Sequence, residues 1–219
     1  MQKKIAVILS GCGYLDGSEI TEATSALIAL SAQGVDYKIF APKVTLKPTS
    51  HVDESLLEPA PRNTLEESAR IARGNIQDIA DLNPKLFDGI VFPGGYGVAK
   101  NLCSWAQDGS KCSVHPKVKE TIEAFYESSK PILAICIAPA LIARVLGQIT
   151  PVNLTIGNDK ATAAEIQKTG CEHVECTVDD FVTDREAKVI STPAYMYEAK
   201  PHQVFTGIQK AVAEFVEMA

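Results

Sequence analysis

One stretch constrains the fold of this chain more than any other: Pro131-Ile132-Leu133-Ala134-Ile135-Cys136-Ile137-Ala138-Pro139-Ala140. The apolar run Ile132–Ile135 reads as a short buried strand. The residues up to Leu146 read as a helix, with Pro139 in its first turn and Gly147 at its end. Cys136 stands at the junction. A sharp strand-to-helix turn lifts that side chain to the rim of a sheet, the geometry of a nucleophile elbow, here carrying sulfur. The start of the helix places partial positive charge beside the sulfur, which favours the thiolate. A functional cysteine is the expectation, against the alternative of an inert, packed one.

Elsewhere apolar runs alternate with helical periodicity. Strands are expected at Ile5–Leu9, Val35–Phe40, Phe87–Phe92, Ile132–Ile135, Leu154–Ile156, Glu172–Thr177 and Val189–Thr192. Helices are expected over Glu19–Gln33, Thr64–Ala80, Pro116–Ser129, Ala138–Leu146, Ala161–Thr169 and Pro201–Met218. Thr64-x-x-Glu67 is a capping box for the second of these, and Gly170 closes the fifth. Such alternation implies an α/β fold whose mostly parallel sheet is covered on both faces. Ligands of such folds bind at the carboxyl ends of the strands. Without a linker or repeat, residues 1–219 are expected to form one domain. Two segments break the rhythm: 41–63, with four prolines, and 96–115, which carries Trp105. Irregular connections of this length are often functional.

Composition narrows the function classes. A 46% hydrophobic and 22% charged chain can bury a core. With a net charge of −6 and no basic cluster, nucleic acid and anionic membranes are not expected partners. No apolar run approaches the length of a membrane span. The run Met1–Leu9 reads as a first strand rather than a signal peptide, and the chain is expected in the cytoplasm. Six irregularly spaced cysteines read as free thiols. Cys171, His173 and Cys176 form the one cluster resembling a metal site. On a strand, 176 faces away from 171 and 173, so no metal is expected.

Three loops should meet at the carboxyl edge of the sheet. They are residues 10–22 after the first strand, Pro93-Gly94-Gly95-Tyr96-Gly97, and the Cys136 elbow. Glu19 and Glu22 compete as acid partner of the sulfur. Asp16-x-x-Glu19 fits a capping box, which would occupy Glu19 structurally. Glu22 lies further into the helix, where a carboxyl beside sulfur would have a raised pKa and serve as general acid or base. Its alternative role is a solvated helix charge. Pro93-Gly94-Gly95 suits a turn whose N–H groups approach a ligand, and with the Ile137 N–H it would form an oxyanion hole. The glycines lack the spacing of either nucleotide fingerprint. Gly94 and Cys12 are candidates for the lining of the same cleft. Of the four histidines, His51, His115, His173 and His202, none follows Cys136.

These stretches, with Val7–Gly13, Asp16–Ile20, Val98–Leu102, Leu154–Gly157 and Thr192–Met196, resemble the PfpI/deglycase superfamily and, within it, the ElbB-type glyoxalase-like proteins. The resemblance covers nearly the whole chain. It implies a three-layer, flavodoxin-like sandwich of the class I glutamine amidotransferase kind. It assigns the nucleophile to Cys136, the family's helix glutamate to Glu22 by its spacing to Gly34, and the oxyanion hole to Gly95 and Ile137. It also implies a homodimer, and no cofactor. Protease-like members and amidotransferases carry a histidine beside or near the nucleophile; here Ile137 and Ile156-Gly157 fill those regions. The expected activity is a glutathione-independent glyoxalase acting on glyoxal and other small 2-oxoaldehydes, sometimes seen as deglycase activity. The alternatives are an amidotransferase-like hydrolase linked to isoprenoid metabolism, with His115 or His173 supplying the histidine, and a non-enzymatic redox sensor.

Overall fold

The computed structural model describes residues 2–57 and 62–219. Met1 at the head of the expected first strand, and Pro59 and Pro61 of the proline-rich segment, lie outside the described residues. In chain order the principal elements are β1 (Lys4–Ile8), α1 (Ile20–Ala32), β2 (Asp36–Ala41), α2 (Thr64–Ile71), β3 (Ile76–Asp78), β4 (Gly89–Phe92), α3 (Pro116–Glu127), β5 (Ile132–Ile135), α4 (Ala138–Leu146), α5 (Lys160–Gln167), β6 (Val182–Asp184), β7 (Val189–Thr192) and α6 (Pro201–Met218). The seven strands form one sheet in the order β6-β7-β5-β4-β1-β2-β3. Every pairing is parallel except that of the edge strand β6 with β7.

Strands β4, β5 and β7 are buried throughout, and β5 accordingly reads as an unbroken apolar run. Successive residues serve opposite faces. Ile5, Val7, Val91, Leu133, Ile135 and Ile190 pack with the apolar stripes of α1 and α6. Ala6, Ile8, Ile90, Phe92, Ile132 and Ala134 pack on the other side with Ile122 and Phe125 of α3 and Leu141 and Ile142 of α4. The result is the expected α/β sandwich with helices on both faces.

Several boundaries differ from expectation for local reasons. Helix α2 ends at Ile71, because Arg73 (φ 53°) and Gly74 (φ 80°) turn the chain left-handed. Residues 76–78, expected inside that helix, instead pair with β2 as an edge strand. Asn63, not Thr64, caps α2: its side chain accepts the Glu66 N–H at 2.9 Å. The Thr64 hydroxyl donates to Pro42 O instead. Of the expected strand Glu172–Thr177, only Glu172–His173 pairs, with Asn153–Leu154. Strand β6 carries no apolar run and was not foreseen.

Candidate active site

The site is assembled where four adjacent strands, β1, β4, β5 and β7, release their chains at the carboxyl edge. Cys136 follows β5 with φ 63°, and its N–H donates to Thr192 O at 2.9 Å. A left-handed conformation at a non-glycine residue costs about 1–2 kcal/mol. It turns the side chain toward the loop after β4 and leaves Cys136 only 7% exposed. Ala194, in the loop after β7, is also left-handed (φ 46°), and this turn aims the Tyr195 N–H at Glu22.

Gly94 holds the sulfur and the carboxyl together. A Cβ at Gly94 would lie 2.4 Å from Cys136 Cβ and 2.5 Å from Glu22 Oε2. The two functional side chains therefore flank a point that only glycine leaves open. Gly95 is equally confined: a Cβ there would lie 2.4 Å from both Glu19 N and Gly17 O. The loop after β4 is bonded along its length to the loop after β1. Glu19 N–H donates to Gly94 O at 3.0 Å, Tyr96 N–H to Tyr14 O at 2.7 Å, and Gly97 N–H to Gly17 O at 2.9 Å.

These contacts correct the start of α1. Glu19 is extended (φ −68°, ψ 127°) and bonded to the glycine loop, so the helix begins at Ile20 and its cap is Glu19, whose carboxylate accepts the Glu22 N–H at 2.7 Å. Asp16, the expected cap, accepts the Thr49 N–H at 2.7 Å. Glu22 points inward and is fully buried. Its Oε1 accepts the Tyr195 N–H at 3.1 Å, and its Oε2 has no partner that meets ordinary hydrogen-bond geometry. Burial first, then the charge of Glu19, push the Glu22 carboxyl up to about 8. Near neutrality it holds its proton, on an oxygen beside Cys136.

The thiolate expected from the helix start meets an opposing force. Burial, followed by the charge of Glu22 and the hydrogen bond to it, pushes the Cys136 thiol well above its ordinary value. The N–H groups of Gly95 and Ile137 aim at the sulfur and pull the other way without prevailing. The resting pair is a thiol beside a carboxylic acid. As pH rises, the carboxyl ionises first and is the base to which the thiol proton can pass.

A cavity of about 820 Å³ opens from Cys136. Gly95, Ile137, Tyr14, Tyr96, Trp105, Gln107, Asp159 and Glu165 are among the residues that line it with Cys136. The irregular segment around Trp105 thus builds a wall of the site. Neither Gly94, which is packed between Cys136 and Glu22, nor Cys12, which lies near Glu67 and Arg70 of α2, lines this cavity. Nor does any of the four histidines line it. Sequence reasoning missed the Tyr195 N–H, a backbone donor with no side-chain signature. It also missed Asn101, whose amide donates to Ser10 O and Asp16 O, each at 2.8 Å, and clamps the loop after β1.

No family model matches the chain. Among curated proteins it is 40% identical to the human mitochondrial glutamine amidotransferase-like class 1 domain-containing protein 3, over 98% of this chain and 83% of that protein. It is 31% identical to the mitochondrial ES1 protein of Danio rerio, over 98% of this chain and 85% of that protein. Among solved structures it superposes on an isoprenoid biosynthesis protein with an amidotransferase-like domain from Ehrlichia chaffeensis with a TM-score of 0.93 and 39% identity, covering 99% of both chains. Glyoxalase III of Candida albicans shares the fold alone, with a TM-score of 0.65 and 15% identity over 99% of this chain and 97% of that one. The cytoplasmic expectation is corrected by the curated relatives from human, rat and zebrafish, all designated mitochondrial. An apolar first strand carries no information on compartment, which is why the N-terminal reading misled. By its identity to these relatives over nearly its whole length, and by its fold, the chain belongs to the glutamine amidotransferase-like class 1 family of the DJ-1/ThiJ/PfpI fold.

Proposed function

We propose that this protein is a cofactor-independent glyoxalase that converts glyoxal, and other small 2-oxoaldehydes, to the 2-hydroxy acid. The observation that carries the reading is the pairing of Cys136 with a buried carboxyl of raised pKa across Gly94. Ionised Glu22 takes the thiol proton as sulfur adds to one aldehyde carbon, giving a hemithioacetal. Glu22 passes that proton to the new oxygen, then removes the hydrogen on the sulfur-bearing carbon and returns a proton to the neighbouring carbon, by way of an enediol. The resulting thioester is cleaved by water, which releases glycolate and restores the thiol. In this reading the N–H groups of Gly95 and Ile137 stabilise the oxyanions that form on the adjacent carbon, supported by their hydrogen bonds to the Cys136 sulfur. This chemistry needs a thiol and one carboxyl, and it tolerates a cavity lined by no histidine. An amidotransferase-like hydrolysis would ask for a histidine to shuttle the proton. Support at the level of the fold comes from the likeness to a glyoxalase III.

The test is glycolate formation from glyoxal without glutathione, in the wild type, Cys136→Ala and Glu22→Gln. Glycolate from the wild type, lost in both variants, supports the reading. A folded wild type that forms none refutes it.

A further inference from the structure

The cavity is far larger than glyoxal requires. At about 820 Å³ it lies in the range of about 300–1,000 Å³ typical of sites for much larger organic ligands. Its lining is also lopsided in charge. Among the described residues three carboxylates, Glu19, Asp159 and Glu165, line it, and no Lys, Arg or His side chain does. Glu165 is offset by its ion pair with Lys168 and by the Ser110 N–H at 3.0 Å. Asp159 accepts the Thr162 N–H through Oδ1 at 2.7 Å and forms no ion pair among the described residues. The nearby Lys100 is committed to Leu15 O at 2.7 Å and lies over the Tyr96 ring. Aromatic rings flank the same space: Tyr14 and Tyr96, both about half exposed, and the buried Trp105. Carboxylates beside aromatic faces are the surroundings that attract an organic cation and repel an anion. Cys136 also lines this cavity, with the fully buried carboxyl of Glu22 beside it.

We propose that the substrate of this site is a carbonyl compound larger than glyoxal, whose second end carries a positive charge and meets the carboxylates and aromatic rings that line the cavity. The inference rests on the glyoxalase reading for the reacting carbonyl. Phosphorylated and carboxylated aldehydes are disfavoured by the same charge pattern.

Trp105 is the sole tryptophan of the chain, so its fluorescence reports occupancy of the cavity without any reaction. Three unreactive probes of similar shape are titrated into the wild-type protein: benzyltrimethylammonium, benzyl alcohol and benzoate. The ammonium is expected to bind at least about fivefold more tightly than benzoate, with the alcohol between them. Asp159→Asn keeps a side chain that caps α5 and removes one charge, so it is expected to reduce the ammonium-to-benzoate ratio about threefold. Benzoate binding as tightly as the ammonium, or no quenching by any probe at millimolar concentration, would overturn the inference. The probes carry no aldehyde. Glyoxal turnover without this charge preference sinks the inference alone, and the preference without turnover sinks the glyoxalase reading alone.

Discussion

The carboxyl of Glu22 is held by the backbone N–H of Tyr195 at 3.1 Å, across 173 residues of sequence. That contact fixes Oε1 and leaves Oε2 to face Cys136, the other half of the pair. Helix α1 supplies the acid, the loop after β7 orients it, and the elbow after β5 supplies the sulfur. Three elements distant in sequence converge because β7, β5, β4 and β1 are neighbours in the sheet.

Burial of Glu22 makes stability depend on pH. Its folded-state value is about 8 against an ordinary 4.5, so the folded protein retains a proton that the unfolded chain loses. The folded state is favoured by that proton below pH 4.5, loses the advantage as pH rises to about 8, and gains none back above it. Over that interval the wild type should lose about 2–5 kcal/mol that Glu22→Gln does not lose. Melting temperatures at pH 5 and pH 9 measure this. The difference should move several degrees in favour of the variant at pH 9, and an unchanged difference would show that Glu22 is not buried as a neutral acid.

The same group sets the pH dependence of the proposed reaction. Because ionised Glu22 is the base for the thiol, kcat/KM for glyoxal should rise with pH and level off near 8. Glu22→Gln should lower the rate by about 10²–10⁴-fold and abolish that inflection. Stopped assays across pH 6–10 in a constant-ionic-strength buffer read both.

Gly94→Ala tests the geometry between the two side chains. The added Cβ would meet Cys136 Cβ at 2.4 Å, Glu22 Oε2 at 2.5 Å and Ile135 O at 2.8 Å. Backbone and two functional groups must all shift, at about 1–3 kcal/mol. The melting temperature should fall and glyoxal turnover should disappear. Retention of full activity would mean that the pair does not meet across this glycine.

Asn101→Ala removes the clamp on the loop after β1. Ser10 O and Asp16 O would each lose a donor in a largely buried setting, at about 1–3 kcal/mol in all. Hydrogen–deuterium exchange should speed up at residues 11–18 with little change in β1. Uniform exchange in variant and wild type would assign the loop's order to other contacts.

The strand–Cys136–helix junction was legible because three signals coincide there: a short apolar run, an early proline and a closing glycine. The other buried parallel strands were legible because burial on both faces keeps them largely apolar. Caps were less so. Asp16 and Thr64 have the right side chains, but a cap needs an extended backbone immediately before the first helical turn. Contacts with the glycine loop set that position at Glu19, and the capping bond to Glu66 N–H places it at Asn63. Edge strands β3 and β6 are short and only partly buried, so they lack an apolar signature. The raised thiol pKa was hidden as well: a helix start favours the anion, but the weight of burial depends on tertiary packing around Cys136.

The central claim is that Cys136 and Glu22 form one proton-coupled pair, and alkylation of Cys136 tests it most directly. Iodoacetamide labelling is followed by peptide mass spectrometry from pH 6 to 10 in the wild type and Glu22→Gln. Below pH 8 Glu22 is neutral, and the two proteins should label at similar rates. Above it the wild-type carboxylate acts on the thiol, so the wild-type profile should bend near pH 8 and that of Glu22→Gln should not. Superimposable profiles over the whole range would contradict the pairing.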